Sequence, residues 1–165
     1  MKDRSPLVAV VMGSDSDLPI LEETARVLAE FGVPYQMTVR SAHRSPEATA
    51  DFARSAEEQG IEVIIAGAGG AAHLAGVIAA HTILPVIGVP MESGLLGIDS
   101  LLSTVQMPGG VPVATVAIGK AGGRNAGILA VQILSGKHPE LKKLLYRHKA
   151  SLTAKVEEAA KKLKK

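Results

Sequence analysis

The chain has 165 residues, enough for one domain with a substantial core, and an ordinary balance of 47% apolar and 21% charged residues. Its four aromatics (Phe31, Tyr35, Phe52, Tyr146) offer no stacking platform for single-stranded nucleic acid, and the lack of cysteine excludes disulfides, a thiolate nucleophile and sulfur-held metal. The net charge of +2 is unevenly spread: residues 140–165 hold nine Lys/Arg against three Glu and residues 1–139 hold nine against thirteen Asp/Glu, so the basic character is the tail's and a polyanion-binding role loses its footing.

In chain order, Met1 to Pro6 lead into an apolar run too short for a signal-peptide core or a membrane span, so no membrane association and a cytoplasmic location are expected. That run, Leu7 to Met12, is unbroken, as a strand buried on both faces of a parallel sheet requires. Gly13-Ser14-Asp15-Ser16-Asp17 follows. Leu18, Leu21, Ala25 and Leu28, at spacings of three and four, then predict a helix that Gly32 ends and Pro34 keeps from continuing. A second strand, Tyr35 to Val39, runs into Ser41-Ala42-His43-Arg44-Ser45-Pro46. Here Ser45 is a favoured N-cap and Pro46 a first helical residue that forfeits no hydrogen bond, opening a helix to about Gln59 that Gly60 closes.

Val63 to Ala66 is a third strand, leading into Gly67-Ala68-Gly69-Gly70-Ala71-Ala72-His73 and a short apolar helix to about His81. Val86 to Val89 is a fourth, followed by a glycine-containing loop and a helix around Ser100 to Val105; Pro112 to Ala117 is a fifth, followed by a helix from Asn125 to Leu134. Five β–α units predict an α/β fold: a three-layer, doubly wound parallel sheet in the flavodoxin-like order 2-1-3-4-5. Its ligand crevice lies between strands 1 and 3 at their carboxyl ends, which sets loops 13–17 and 67–73 beside the 41–46 turn.

The tail reads as a separate element. Leu141, Leu145, His148, Leu152, Val156, Ala159 and Leu163 form an apolar stripe on a Lys-rich helix, roughly 35 Å long at 1.5 Å per residue. That exceeds what a domain of this size can cover. The chain is therefore divided into a main domain, 1–138, and a C-terminal helical extension, 139–165, expected to pack on a neighbouring subunit.

Each loop brings its own chemistry. Loop 13–17 combines backbone N–H groups at a helix start with two hydroxyls and two carboxylates, which suits a ribose phosphate: amides and hydroxyls for the phosphate, a carboxylate for sugar hydroxyls. It has neither the Gly-Lys-Ser/Thr of a P-loop nor G-x-G-x-x-G spacing. His43 and Arg44 put a proton-transfer group and a fixed cation before a helix N-terminus, where an anion is already favoured. Loop 67–73 carries nothing larger than methyl until His73, so a flat ligand can lie against its amides; tight strand–helix packing explains the same composition. Ser103 and Met107 are placed as possible pocket walls. His81, His138 and His148 are read as solvated, and no spacing of histidines and carboxylates suits a metal.

Four stretches (12–17, 41–46, 66–74 and 99–110) closely resemble the class I N5-carboxyaminoimidazole ribonucleotide mutases of bacterial purine biosynthesis, and the likeness extends from about Val8 to Leu134. Ala75 departs from the family's usual Pro after His73-Leu74, which loosens the start of the third helix without removing a chemical group. The resemblance implies an isomerase that moves a carboxylate from the exocyclic nitrogen of the ribonucleotide to the adjacent ring carbon through transient CO2, with no metal or other cofactor. It implies that Ser14 and Arg44 hold the 5′-phosphate and Asp17 the ribose hydroxyls. Ser16, Ser41, Gly69, Gly70, Ala71, His73 and Leu74 complete the substrate site, with His43 as general acid/base and His73 in a positioning role. It also implies a cytoplasmic homo-octamer. Two alternatives remain: a direct CO2-dependent aminoimidazole ribonucleotide carboxylase, against which the Gly-Gly-Ala-Ala-His run counts, and a non-catalytic nucleotide-binding module, against which His43 beside Arg44 counts.

Overall fold

A computed structural model describes residues 5–163; residues 1–4, at the head of the segment expected to be too short for a signal core, and the last two residues of the expected extension lie outside it. Five parallel strands, β1 (Val8–Met12), β2 (Tyr35–Val39), β3 (Val63–Ala68), β4 (Val86–Pro90) and β5 (Ala114–Thr115), lie in the order β2-β1-β3-β4-β5. Val8 sits opposite both Tyr35 and Val63, so the carboxyl ends of β2, β1 and β3 finish level and deliver their loops to one place.

Side chains alternate across the sheet, and the two faces are covered by different helices. Val8, Val10, Ile65 and Ile87 pack against α1 (Leu18–Glu30) and α5 (Gly119–Leu134). Ala9, Val11, Ile64 and Ala66 pack against α2 (Pro46–Ser55) and α3 (Leu74–Ala79). On that second face α4 (Ile98–Val105) reaches β4 through the Thr104 methyl, which occupies the place where Gly88 lacks a side chain. The expected three-layer α/β architecture is the one observed.

Several boundaries differ from expectation. Helix α2 stops at Ser55 and gives way to a turn before Gly60, and α3 stops at Ala79. Strand β5 pairs over two residues only, because it is the sheet edge and its neighbour β4 offers partners only at Ile87 and Gly88. Helix α5 begins at Gly119, six residues before Asn125. Its early glycines are not a turn but a contact surface: a Cβ at Gly123 would lie 2.5 Å from the Ile20 carbonyl oxygen, and one at Gly127 2.8 Å from Val27 Cβ. Leu18, expected on the apolar stripe of α1, is instead exposed; Leu21, Val27 and Leu28 hold the buried face.

Helix α6 (Glu140–Leu163) starts on the domain and then leaves it. Leu141 is buried, Leu144 and Leu145 rest on the α1–α5 core, and His148 tilts against Phe31 with ring centroids 5.7 Å apart. Leu152, Val156 and Leu163 are exposed. At the root of the helix, His138 Nε2 lies 3.2 Å from the Glu62 carboxylate and Lys137 Nζ 2.9 Å from it. Burial pushes the Glu62 carboxyl up, but these two donors outweigh it and leave the group below its ordinary value. His138 and His148 are thus packed or paired rather than solvated, because both fall on the short stretch where the tail helix still touches the domain; His81 is exposed, as expected.

Candidate active site

Three loops converge at the switch point between β1 and β3. The first starts at Gly13, whose N–H donates to the Gly67 carbonyl 3.1 Å away and so ties it to the third loop. Asp15–Asp17 form one 3₁₀ turn before α1, capped reciprocally: Ser16 N–H donates to Ser14 Oγ at 3.4 Å, and Ser14 N–H to Asp17 Oδ2 at 3.2 Å. Burial raises the Asp17 carboxyl above its ordinary value; the Ser14 N–H works against this and the nearby Asp15 charge with it. Asp17 is therefore held at a cost in charge burial, with one oxygen already engaged.

The second loop, 41–46, is wound on itself. Ser45 N–H donates to the Ser41 carbonyl at 3.0 Å, Ser41 N–H to Ser45 Oγ at 3.2 Å, and Arg44 N–H to Ser41 Oγ at 3.1 Å. Ser45 does occupy the N-cap position of α2, but its hydroxyl turns back to Ser41 instead of capping the helix, a correction to its expected role. This local knot aims Arg44 across to the first loop, where Nη2 donates to the Gly13 carbonyl at 3.1 Å. Further N–H groups of the guanidinium stay available to an anion.

The third loop holds the least comfortable backbone. Gly70 is left-handed at φ +62°, as glycine permits, but Ala72 is left-handed too, at φ +43°. A non-glycine residue there costs on the order of 1–3 kcal/mol and persists only where its surroundings fix it. Ala72 is buried, its N–H donates to the Gly69 carbonyl at 3.1 Å, and the Ser103 hydroxyl donates to the Ala71 carbonyl. Gly67 answers to packing alone: a Cβ there would drive into Met91 and lie 3.0 Å from Leu21. Packing thus accounts for Gly67, while nothing lies within 4 Å of a Cβ placed at Gly70.

His43 and His73, 30 residues apart in sequence, meet in the cleft. His43 Nε2 lies 2.8 Å from His73 Nδ1, and the rings stand nearly perpendicular with centroids 4.9 Å apart. The geometry accommodates one proton between the two nitrogens, so each ring fixes the other's tautomer. The cleft has a volume of about 360 Å³ and is walled by Gly13, Ser41 to Arg44, Ala68, Ala72, His73 and Leu74.

Of the site residues expected from sequence, His43, Arg44, Ser41, His73 and Leu74 meet on this cleft, Leu74 with its side chain mostly turned into the core. Ser14, Ser16, Asp17, Gly69, Gly70 and Ala71 lie on the same loops, one to four residues beyond its walls. Both imidazoles are exposed, so these loops alone do not enclose the cleft. Sequence reasoning missed the direct His43–His73 contact and the reach of Ser103. Ser103 stood only as a candidate pocket wall, and on a helix that also carries Asp99, Ser100 and Thr104 nothing in the sequence set its hydroxyl apart. Among the described residues, no group of three or more His, Asp or Glu side chains could hold a metal ion.

The chain matches known proteins over nearly all its length. Residues 7–155 match the family described as AIR carboxylase. A Pyrococcus horikoshii protein named N5-carboxyaminoimidazole ribonucleotide mutase is 61% identical over 164 residues, covering 99% of this chain and 92% of that one. A Thermotoga maritima protein of the same name is 55% identical, covering 96% and 92%, and one from Mycobacterium tuberculosis is 62% identical, covering 83% and 78%. A crystal structure of Treponema denticola PurE superposes with a TM-score of 0.87 at 30% identity, covering 97% of this chain and 99% of that one.

Proposed function

Since the chain belongs to the AIR carboxylase family, we propose that its three converging loops carry out the carboxylate migration of the N5-carboxyaminoimidazole ribonucleotide mutases it resembles. The enzyme is a mutase of purine biosynthesis. It moves the carboxylate of N5-carboxyaminoimidazole ribonucleotide from the exocyclic nitrogen to the adjacent ring carbon, giving 4-carboxy-5-aminoimidazole ribonucleotide. The relatives at 55–62% identity carry the mutase name, which favours this reading over direct carboxylation.

His43 is the general acid/base in this reading, and its contact with His73 is the observation that carries the assignment. As CO2 leaves the exocyclic nitrogen, His43 gives that nitrogen a proton. When CO2 recombines at the ring carbon, the carbon's proton returns to the imidazole, so the ring ends as it began and no net proton is consumed. Imidazole suits both directions because it ordinarily titrates near neutrality. His73 holds the tautomer and orientation of His43. Arg44 and Ser14, with Ser16 and Ser41, take the 5′-phosphate, Asp17 the ribose hydroxyls, and the amides of Gly69, Gly70 and Ala71 the imidazole and migrating CO2 beside Leu74. No cofactor enters this scheme.

Following the isotope-labelled carboxylate of the substrate by NMR tests it. Wild type is expected to move the label from nitrogen to carbon, and His43→Asn to slow this by at least about a hundredfold, the lower end for loss of a general acid/base. Undiminished conversion by the variant would remove His43 from the chemistry. We further propose a cytoplasmic homo-octamer in which the extension packs on a neighbour. Support for the packing of the extension comes from the exposed Leu152, Val156 and Leu163.

A further inference from the structure

The segment 99–110 was singled out by sequence, yet none of the chemistry above uses it. In the structure it reaches the site indirectly. Helix α4 lies on β4, where Ser100 Oγ donates to the Met91 carbonyl at 2.5 Å and Thr104 Oγ1 to the Ser100 carbonyl at 2.7 Å. Both residues are buried, so α4 is a fixed platform. From it two side chains reach the third loop and the helix that follows. The Ser103 hydroxyl donates to the Ala71 carbonyl, and Met107 fills the space beside Gly76, where an added Cβ would lie 3.1 Å from its sulfur. Between these two points sit Ala72, in its left-handed conformation, and His73, at whose Nδ1 the His43 ring is aimed.

We infer that Ser103 is a positioning residue of the mutase: by holding the Ala71 carbonyl it keeps Ala72 left-handed and so holds His73 against His43. This rests on the functional reading above. The physical basis is direct. Ala71 precedes the strained residue, and Ala72 N–H already satisfies Gly69 within the loop. Gly13 and Met91 N–H groups hold the carbonyls of Gly67 and Ala68 where the loop begins, whereas the Ser103 bond holds the carbonyl directly before the strained residue, and a left-handed alanine relaxes once nothing over-determines it. Relaxation at φ of Ala72 swings the next side chain, His73, so a lost hydroxyl 30 residues away misplaces a ring in the cleft.

Ser103→Thr, which keeps the hydroxyl, and Ser103→Val, its isostere without one, separate this role from packing, because both add the same methyl. The measurement is kcat and KM for the N5-carboxylated ribonucleotide, with His73→Asn and the His73→Asn/Ser103→Val double variant as partners and thermal melts as the folding control. The expected result is a kcat for Ser103→Val about tenfold below that of Ser103→Thr, with KM within about twofold. The double variant is expected within about twofold of His73→Asn alone, since the two residues act as a unit. Equal kcat in the Thr and Val variants, or losses that multiply in the double variant, would overturn the assignment. If wild type converts the substrate and the cycle fails, only the role of Ser103 falls. If wild type does not convert it, the mutase reading falls and Ser103 with it.

Discussion

Asp17 shows what a single residue gives up to be where it is. Its carboxyl titrates above the ordinary 3.8 because burial disfavours the charge. The folded protein therefore binds a proton there more tightly than the unfolded chain does, and the stability tied to that proton is full below about 3.8 and lost as pH rises through the folded value. Asn in its place still offers an oxygen to the Ser14 N–H and never ionises. Asp17→Asn should thus melt no lower than wild type at pH 7, with the gap between them closing toward pH 3. Its KM should rise about tenfold, the difference between a charged and a neutral acceptor for a sugar hydroxyl. Melting curves across that pH range together with steady-state kinetics check both halves, and an unchanged KM would remove Asp17 from the ribose site.

At the scale of elements, α1 and α5 decide how closely the first loop is held to the sheet. Their contact has no side chain at Gly123 and Gly127, so one backbone rests almost on the other, and Thr24 Oγ1 donates to the Gly123 carbonyl at 2.7 Å. Gly123→Ala should cost about 3 kcal/mol, the upper end for overpacking a contact that cannot yield, read from the urea midpoint at unchanged slope. Gly109→Ala, where nothing lies within 4 Å of the new methyl, should stay within about 0.5 kcal/mol and serves as the control.

The same helices mark where sequence reasoning stopped. Strand β2 was legible to the residue, Tyr35 to Val39, because Pro34 before it and the 41–46 turn after it are local signals. Five strands, their order and the convergence of three loops followed from alternation and crossover handedness. The start of α5 did not, since glycines at 119, 122 and 123 look like a turn until a partner helix is known to lie against them. Nor did the His43–His73 contact or the Ser103 bond to Ala71: both join residues about 30 apart, and side-chain meetings at that range leave no periodicity to read.

For the molecule as a whole, the division at residue 138 needs refining. The extension is not separate along its full length, because Leu141, Leu144, Leu145 and His148 complete the core around Phe31. Truncation after Leu134 would therefore damage the domain itself. Ending the chain after Lys149 keeps those contacts and removes Leu152, Val156 and Leu163. The shortened chain should keep its far-UV spectrum, apart from the missing helix, and should assemble from fewer subunits, read as the light-scattering mass divided by the chain mass. An unchanged subunit number would place the subunit contacts elsewhere.

The grip of Glu62 on Lys137 and His138 takes on a mechanical meaning at this scale. It sits at the pivot of a 24-residue rod that spans about 36 Å. A turn of about 10° at the pivot sweeps the far end through about 6 Å over that length, more than one helical turn's rise. Whatever the outer half meets, the accuracy of that meeting is set by three polar side chains at the opposite end of the lever, beside the amino-terminal end of β3 and away from the active site.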